Sequence, residues 1–446
     1  MKATYFKKSF LPIITGLSVT LISFLRMFLG ENDFLTNNIW AEDGLLVVCN
    51  LKVNFISCLS DSYSGYLLLY PRLISFIVHY FSAENWALIN NLLYFVIIFL
   101  LSYLVYSILV EEYSIIVTYL AVITPFTLAI TSDQVMNVHS SLYLIVTAYL
   151  VIIFSNNAWL SINSQKKYFA LALVVFLHAS STPFGLVVAF IIIGKSLLKR
   201  KIYGFNKSLI FSIILGNLLQ IWIILKADEK RGIVEGNLLV LKNSFNYFLK
   251  SSISIFYYPP NSKLESGVFL QQSLVSFLYS HVYVLIIVIF SFAILPLFAK
   301  GRQSYKLHSI SIVSISLIAI LFISSKTFGW PYRFLVLTST LTLWIFLNLL
   351  SFVSFKNLRR ILIVLCVITI FYNTSKSFPI STYRSEGPKW TKEINSKTSL
   401  CLHQTQEYDL IALTFYPHWP TQNPHAYGLT EPTTNAISCA KLLKKL

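Results

Sequence analysis

The sequence predicts an all-α, polytopic membrane protein, and three observations carry that prediction. Of 446 residues, 56% are hydrophobic and only 12% charged, against a charged share of about 25% in soluble domains. The apolar residues gather into runs of roughly twenty, the length at which a helix crosses the hydrocarbon layer. Third, the net charge of +17 is distributed by topology. With the N-terminus inside, the inward segments hold sixteen Lys and Arg residues, from Lys2, Lys7 and Lys8 through Lys166, Lys167, Lys199, Arg200 and Lys201 to Lys356, Arg359 and Arg360. They face only Glu111 and Glu112. That is a positive-inside bias, so the basic balance gives no support to a nucleic-acid partner.

Residues 9–30 form the first span, with Lys7 and Lys8 on its inner flank. Its apolar stretch exceeds the h-region of a cleaved signal, and no small-residue cleavage site ends it. Arg26, near the outer end, is expected to snorkel to the headgroups. The external segment 31–85 is too polar to span and too apolar for a free loop. Its stretch 66–80, with aromatic residues and a break at Pro71, reads as interfacial helices lying on the bilayer. Spans follow at 87–110, 113–130 and 141–155. Tyr168–Leu198 has basic flanks at both ends and a break at His178–Gly185, and each half is too short to cross, so it reads as a re-entrant hairpin at 168–198. There His178 is either an interior histidine or a substrate contact. After a span at 208–226 comes a large external loop, 227–275, and then spans at 278–299, 307–325, 334–354 and 361–378. Nine spans and one hairpin leave a hydrophilic tail, 379–446, outside. The division is therefore a membrane domain, 1–378, and a small tail.

Cys366 falls inside an apolar run and reads as an inert residue. Cys49 and Cys58 share the first external segment, and Cys401 and Cys439 share the tail. In an oxidising compartment each region could close one disulfide or keep free thiols.

No phosphate loop, CxxC pair or HExxH signature is present, so neither a metal nor another cofactor is indicated. The chemistry left is carboxylate, cation and aromatic. Glu42 and Asp43 stand side by side in Ile39-Trp40-Ala41-Glu42-Asp43-Gly44 between apolar runs. Arg72, Lys326 and Arg333 are external cations, and Arg offers the bidentate fork that suits a phosphate. Such a set fits transfer from a lipid-phosphate sugar: a carboxylate takes the proton of the acceptor hydroxyl, and cations stabilise the charge on the departing phosphate. Adjacent helical residues point about 100° apart, so one acid faces the acceptor, and Asp43 is preferred over Glu42. Phe415-Tyr416-Pro417-His418-Trp419-Pro420 offers Tyr416, His418 and Trp419 as an aromatic platform for a saccharide, or as the core of the tail. A solvated carboxylate pair and interfacial arginines are the structural alternatives for the other groups.

Trp40-Ala41-Glu42-Asp43 resembles the Phe-Trp-Ala-Glu-Asp motif of the phage-encoded, serotype-converting O-antigen glucosyltransferases of enteric bacteria, with Ile39 in place of Phe. Lys444-Lys445 is similar to the double lysine near the C-terminus of that family, and reads otherwise as a solvated end. The resemblance implies a GT-C-like fold in the bacterial inner membrane, with a cytoplasmic N-terminus and a periplasmic C-terminus. It implies transfer of glucose from undecaprenyl-phosphate glucose to O-antigen polysaccharide, after a separate enzyme forms the donor and a flippase carries it across. Trp40, Glu42, Asp43, Lys444 and Lys445 are the positions matched. Two alternatives stand beside this reading: a flippase or transporter of a lipid-linked sugar, and an O-antigen polymerase or ligase.

Overall fold

A computed structural model describes residues 2–30, 34–36, 39, 41–52, 55–60, 67–110, 113–127, 165–181, 185, 189, 207–226, 355–376, 389–403, 410–413 and 436–446. The spans expected at 141–155, 278–299, 307–325 and 334–354 and the loop 227–275 lie outside the described residues. What is described is helical apart from one two-stranded pairing. Among the described residues, two helices are long and apolar enough to cross a membrane: Phe10–Leu29, with mean hydropathy 1.7, and Ala83–Leu109, with mean hydropathy 2.5.

The first lies within α1 (Lys2–Gly30). Along it Thr15, Gly16, Val19, Ser23, Arg26 and Met27 are buried, while Ile13, Ile14, Leu17, Leu21 and Phe28 are exposed. This periodicity of three to four gives one packed face and one apolar outer face. The packed face meets α5 (Trp86–Leu109), which buries Trp86, Asn90, Asn91, Tyr94, Ile98 and Leu101 on its own stripe. The two helices run antiparallel, since Gly16 lies against Phe99 and Phe24 against Phe95. Gly16 is required there: a Cβ would stand 2.9 Å from the Phe99 ring. In the opposite sense to α5, α6 (Ile115–Thr127) packs on both.

Arg26 differs from expectation. Its guanidinium is fully buried and donates to the carbonyl of Phe126 in α6. A buried guanidinium requires an acceptor, and with this carbonyl as its partner the cation stays inside the packing instead of rising to the headgroups.

The segment between α1 and α5 folds as three short helices, α2 (Ala41–Lys52), α3 (Phe55–Ser60) and α4 (Leu69–His79). Pro71 does not break α4 but sits in its first turn, where a missing N–H costs no helical hydrogen bond. The chain turns into α4 at Leu68, which takes the left-handed conformation with φ 50°. Backbone donors on both sides of it are met from other helices: the Leu67 N–H donates to Gln220 Oε1 at 3.2 Å, and that of Tyr70 to Ser181 Oγ at 2.8 Å. Those acceptors lie on α8 (Lys207–Lys226) and in the turn that follows α7 (Gln165–Ala179), two helices that pack together. The break expected at His178–Gly185 is where α7 ends, in a turn at Ser180 and Ser181, with His178 fully buried beside it. Gly216 lets the pair close: a Cβ on it would lie 2.8 Å from the Ala179 Cβ and 2.9 Å from the Phe176 carbonyl oxygen. Small residues at such a crossing let backbones approach.

Beyond these comes α9 (Lys356–Lys376), which buries Cys366 as a free thiol and leaves Ile361, Val364, Ile368 and Phe371 exposed. The described tail consists of α10 (Trp390–His403), strands β1 (Leu410–Ala412) and β2 (Ala436–Ser438), paired antiparallel with Ile411 opposite Ile437, and α11 (Cys439–Leu443). Its buried side chains Trp390, Ile394, Ile411, Ile437 and Leu442 form one cluster with Ile39, Val47, Val48, Val78, Ala83 and Trp86. The tail thus completes its core on the segment between the first two long helices, although the sequence divides the two regions at 378.

Candidate functional site

The site forms where that shared core meets the head of α5. Asp43 lies in the first turn of α2, a position that favours a carboxylate because the helix dipole places positive charge there. It is 3% exposed, and its Oδ2 accepts a hydrogen bond from Asn90 Nδ2 at 3.0 Å. The next residue, Asn91, donates to the carbonyls of Phe34 and Leu35 at 3.2 and 3.1 Å. Two consecutive amides one turn into α5 therefore fix the chain before the motif and the carboxylate within it. Buried polar groups require such partners, and a carboxylate without one carries a large desolvation cost.

Glu42 shares the backbone turn of α2, while its side chain and the whole of Trp40 lie outside the described residues. Lys326, Arg333, Tyr416, His418 and Trp419 lie outside them too. The described strand β2 packs against α2.

Arg72, expected at a lipid phosphate, is 2% exposed. Its Nε donates to the Leu67 carbonyl at 2.9 Å and its Nη1 to the Cys58 carbonyl, with the Cys58 and Cys49 sulfurs 3.5 and 3.9 Å from Nη1. Those sulfurs form a disulfide between the end regions of α2 and α3. The reason for the difference is local: the residue four on from Leu67 is Pro71, which has no N–H, so the Leu67 carbonyl is left to the guanidinium, and the Cys58 carbonyl of α3 stands beside it. Arg72 thus ties α3 to α4. A parallel tie runs through Asn50, whose Nδ2 donates to Ser75 Oγ at 3.2 Å, while that hydroxyl donates to the Arg72 carbonyl.

Lys445 is held at the corner between α4 and α5. Its Nζ donates to the His79 carbonyl at 2.7 Å, and its own carbonyl accepts from the Ala83 N–H at 2.8 Å. The Ala83 carbonyl in turn accepts from Trp390 Nε1 at 2.6 Å, and the Trp390 ring stacks on Trp86 with centroids 6.2 Å apart. Burial lowers the Lys445 ammonium from its ordinary range. Desolvation, and secondarily that ammonium, push His79 down to about 4, so its imidazole is neutral at pH 7. A second disulfide, Cys401–Cys439, joins α10 to α11. Lys444 is exposed.

No family model, curated protein or solved structure matches the chain. Asp43, at one end of the sequence, and Lys445, at the other, attach to the head of a single helix within two turns of each other. The residues that bring this about are Asn90, Asn91, Trp390 and Ala83. An adjacent pair of amides inside an otherwise apolar run is the sequence signal that points to the first two, because polar side chains at membrane depth are costly without a partner. Among the described residues, no group of three or more His, Cys, Asp or Glu could hold a metal ion.

Proposed function

We propose that the chain is a membrane-embedded glucosyltransferase of the GT-C type, with nine spans, a re-entrant hairpin and its site on the periplasmic side of the bacterial inner membrane. It takes glucose from undecaprenyl-phosphate glucose and places it on the O-antigen repeat unit. The observation that supports this most is the junction at the head of α5, where the carboxylate motif and the double-lysine end, the two stretches that resemble the family, pack into one core. Further support comes from both disulfides, which belong to an oxidising compartment and occur on the regions assigned to the outer side.

In the proposed reaction the acceptor hydroxyl oxygen attacks the anomeric carbon of glucose. The bond from that carbon to the phosphate oxygen breaks, and its electron pair leaves with the lipid phosphate. The hydroxyl proton passes to Asp43 as general base, and a single displacement inverts the anomeric configuration. Asn90 orients the carboxylate through Oδ2. Glu42 is the alternative base. The cations left for the phosphate are Lys326 and Arg333, since Arg72 is engaged with backbone carbonyls. The test is composition and linkage analysis of lipopolysaccharide from cells that also make the donor. Glucose on the repeat unit with the unaltered chain, and none with Asp43→Asn at equal membrane abundance, is the expected result. Altered chain length without a new sugar would point instead to a polymerase or ligase.

A further inference from the structure

The two bridges among the described residues differ in what surrounds their sulfurs. Cys401 and Cys439 are both buried, at 5% exposure, as suits a bridge that only holds the tail together. Cys49–Cys58 is asymmetric. Cys49, in the last turn of α2, is half-buried, whereas Cys58, in α3, is 1% exposed. Arg72 stands on the buried side: its Nη1 is 3.5 Å from Cys58 Sγ and 3.9 Å from Cys49 Sγ, and the same nitrogen donates to the Cys58 carbonyl. Each Nη of a guanidinium carries two N–H groups, so one serves the carbonyl and the other points to the sulfur. The bond from Nε to the Leu67 carbonyl fixes the guanidinium independently of the bridge. A disulfide opens when a thiolate attacks one sulfur and the other departs with the bonding electron pair, so the rate depends on access to the first and on how well the second carries its charge. In Cys49–Cys58 these two requirements fall on different sulfurs, and each is met.

We propose that Cys49–Cys58 is a thiol-exchange site, at which a dithiol reductant attacks Cys49 and Cys58 leaves as a thiolate received by an Arg72 N–H. An S–S bond forms between the reductant and Cys49 Sγ, the bond from Cys49 to Cys58 breaks, and its electron pair goes to Cys58 Sγ. The second thiol of the reductant, its proton lost to solvent, then displaces Cys49. Two electrons have passed from the dithiol to the bridge, the reductant is a disulfide, and the reverse sequence closes the bridge again. Charge-assisted donation to the departing sulfur speeds the first step by about tenfold. The exchange acts on one end of α2: this helix carries Asp43 in its first turn and Cys49 in its last, so its far end is fastened to α3 or released while Asp43 keeps the bond from Asn90. That consequence for α2 holds whether or not the chain transfers glucose.

The test uses the full-length chain in membrane vesicles, exposed to reduced glutathione as the probe thiol. Samples are quenched in acid, their free thiols are capped with N-ethylmaleimide after denaturation, and peptide mass spectrometry reads both bridges at once. Cys49–Cys58 is expected to open about tenfold or more faster than Cys401–Cys439, with glutathione on Cys49 and the maleimide on Cys58. Arg72→Gln should slow the opening of Cys49–Cys58 by about tenfold and leave the rate at Cys401–Cys439 unaltered, and Arg72→Lys, which keeps a charged donor, should restore part of the loss. The unaltered rate at the tail bridge verifies that the variant is folded. If Arg72→Gln does not reach the membrane, the position of the glutathione adduct in the unaltered chain decides by itself. Three outcomes would overturn the proposal: glutathione on Cys58 or equally on both cysteines, the two bridges opening at one rate, or a folded Arg72→Gln chain that opens Cys49–Cys58 as fast as the unaltered one.

Discussion

Replacing Trp390 is expected to release the tail from the head of α5. Its side chain is fully buried, stacks on Trp86 and supplies the N–H that satisfies the Ala83 carbonyl. Truncating a buried tryptophan to alanine costs about 3–5 kcal/mol in lost burial and residual cavity. Trp390→Phe keeps an aromatic plate but removes the hydrogen bond, at about 1–2 kcal/mol. Because the tail opens as a local unit, these values act on its opening equilibrium. Where closing is fast relative to cleavage, protease sensitivity follows that equilibrium, so Trp390→Ala raises the cleavage rate of the tail by roughly two to four orders of magnitude and Trp390→Phe by roughly tenfold. Full-length protein in membrane vesicles, treated with a dilute protease and followed by the mass of the C-terminal fragments, measures both. If Trp390→Ala is cleaved at the unaltered rate, the tail does not depend on this contact for its attachment and the shared core does not hold it.

Asn90→Leu, which removes the donor to Asp43, is expected to lower glucosyl transfer by about a hundredfold without loss of the protein from the membrane, read from glucose incorporation. Asn90→Asp should fare worse at neutral pH than in mild acid, because two carboxylates at this separation cannot both ionise easily. Gly216→Ala places a methyl against Ala179 and the Phe176 carbonyl and should destabilise the α7–α8 pair by about 1–3 kcal/mol, seen as a lower Tm in detergent. Opening the Cys401–Cys439 bridge, which closes a sequence separation of 38, should cost the tail about 4 kcal/mol by chain entropy, against about 2.6 kcal/mol for Cys49–Cys58 with its separation of 9. Protease sensitivity of the paired serine variants gives the comparison. His79 has its folded value depressed to about 4 from 6.5. The share of that shift that the tail imposes, through Lys445 and the cover it gives, is relieved when the tail opens, so the opened state binds a proton more readily and attachment weakens as pH falls from about 6.5 towards 4. His79→Gln should flatten that dependence in the same protease assay.

The sequence by itself determined the parts of this protein that depend on local composition. Hydrophobic run length placed the helices at 87–110 and 208–226 within a residue or two of Trp86–Leu109 and Lys207–Lys226, because transfer of apolar residues out of water needs no knowledge of the partner helix. Cysteine location gave the two regions that each close a bridge, and the Glu42-Asp43 pair stood out against its apolar flanks. Tertiary structure decided everything that depends on which polar groups meet. Arg26 and Arg72 carry the composition of interfacial cations, yet both lie buried on carbonyls that only the packing of α6, α3 and α4 makes available. Asn90 meets Asp43 because the first turn of α2 reaches the second turn of α5, and the tail, hydrophilic enough to read as a separate domain, completes its core on residues that precede it by some three hundred positions. A hydrogen bond is directional and short, so its partner cannot be read from periodicity. For that reason the sequence could point to Asp43 as a candidate, whereas only the fold could join Asp43, Asn90, Trp390 and Lys445 at the head of one helix.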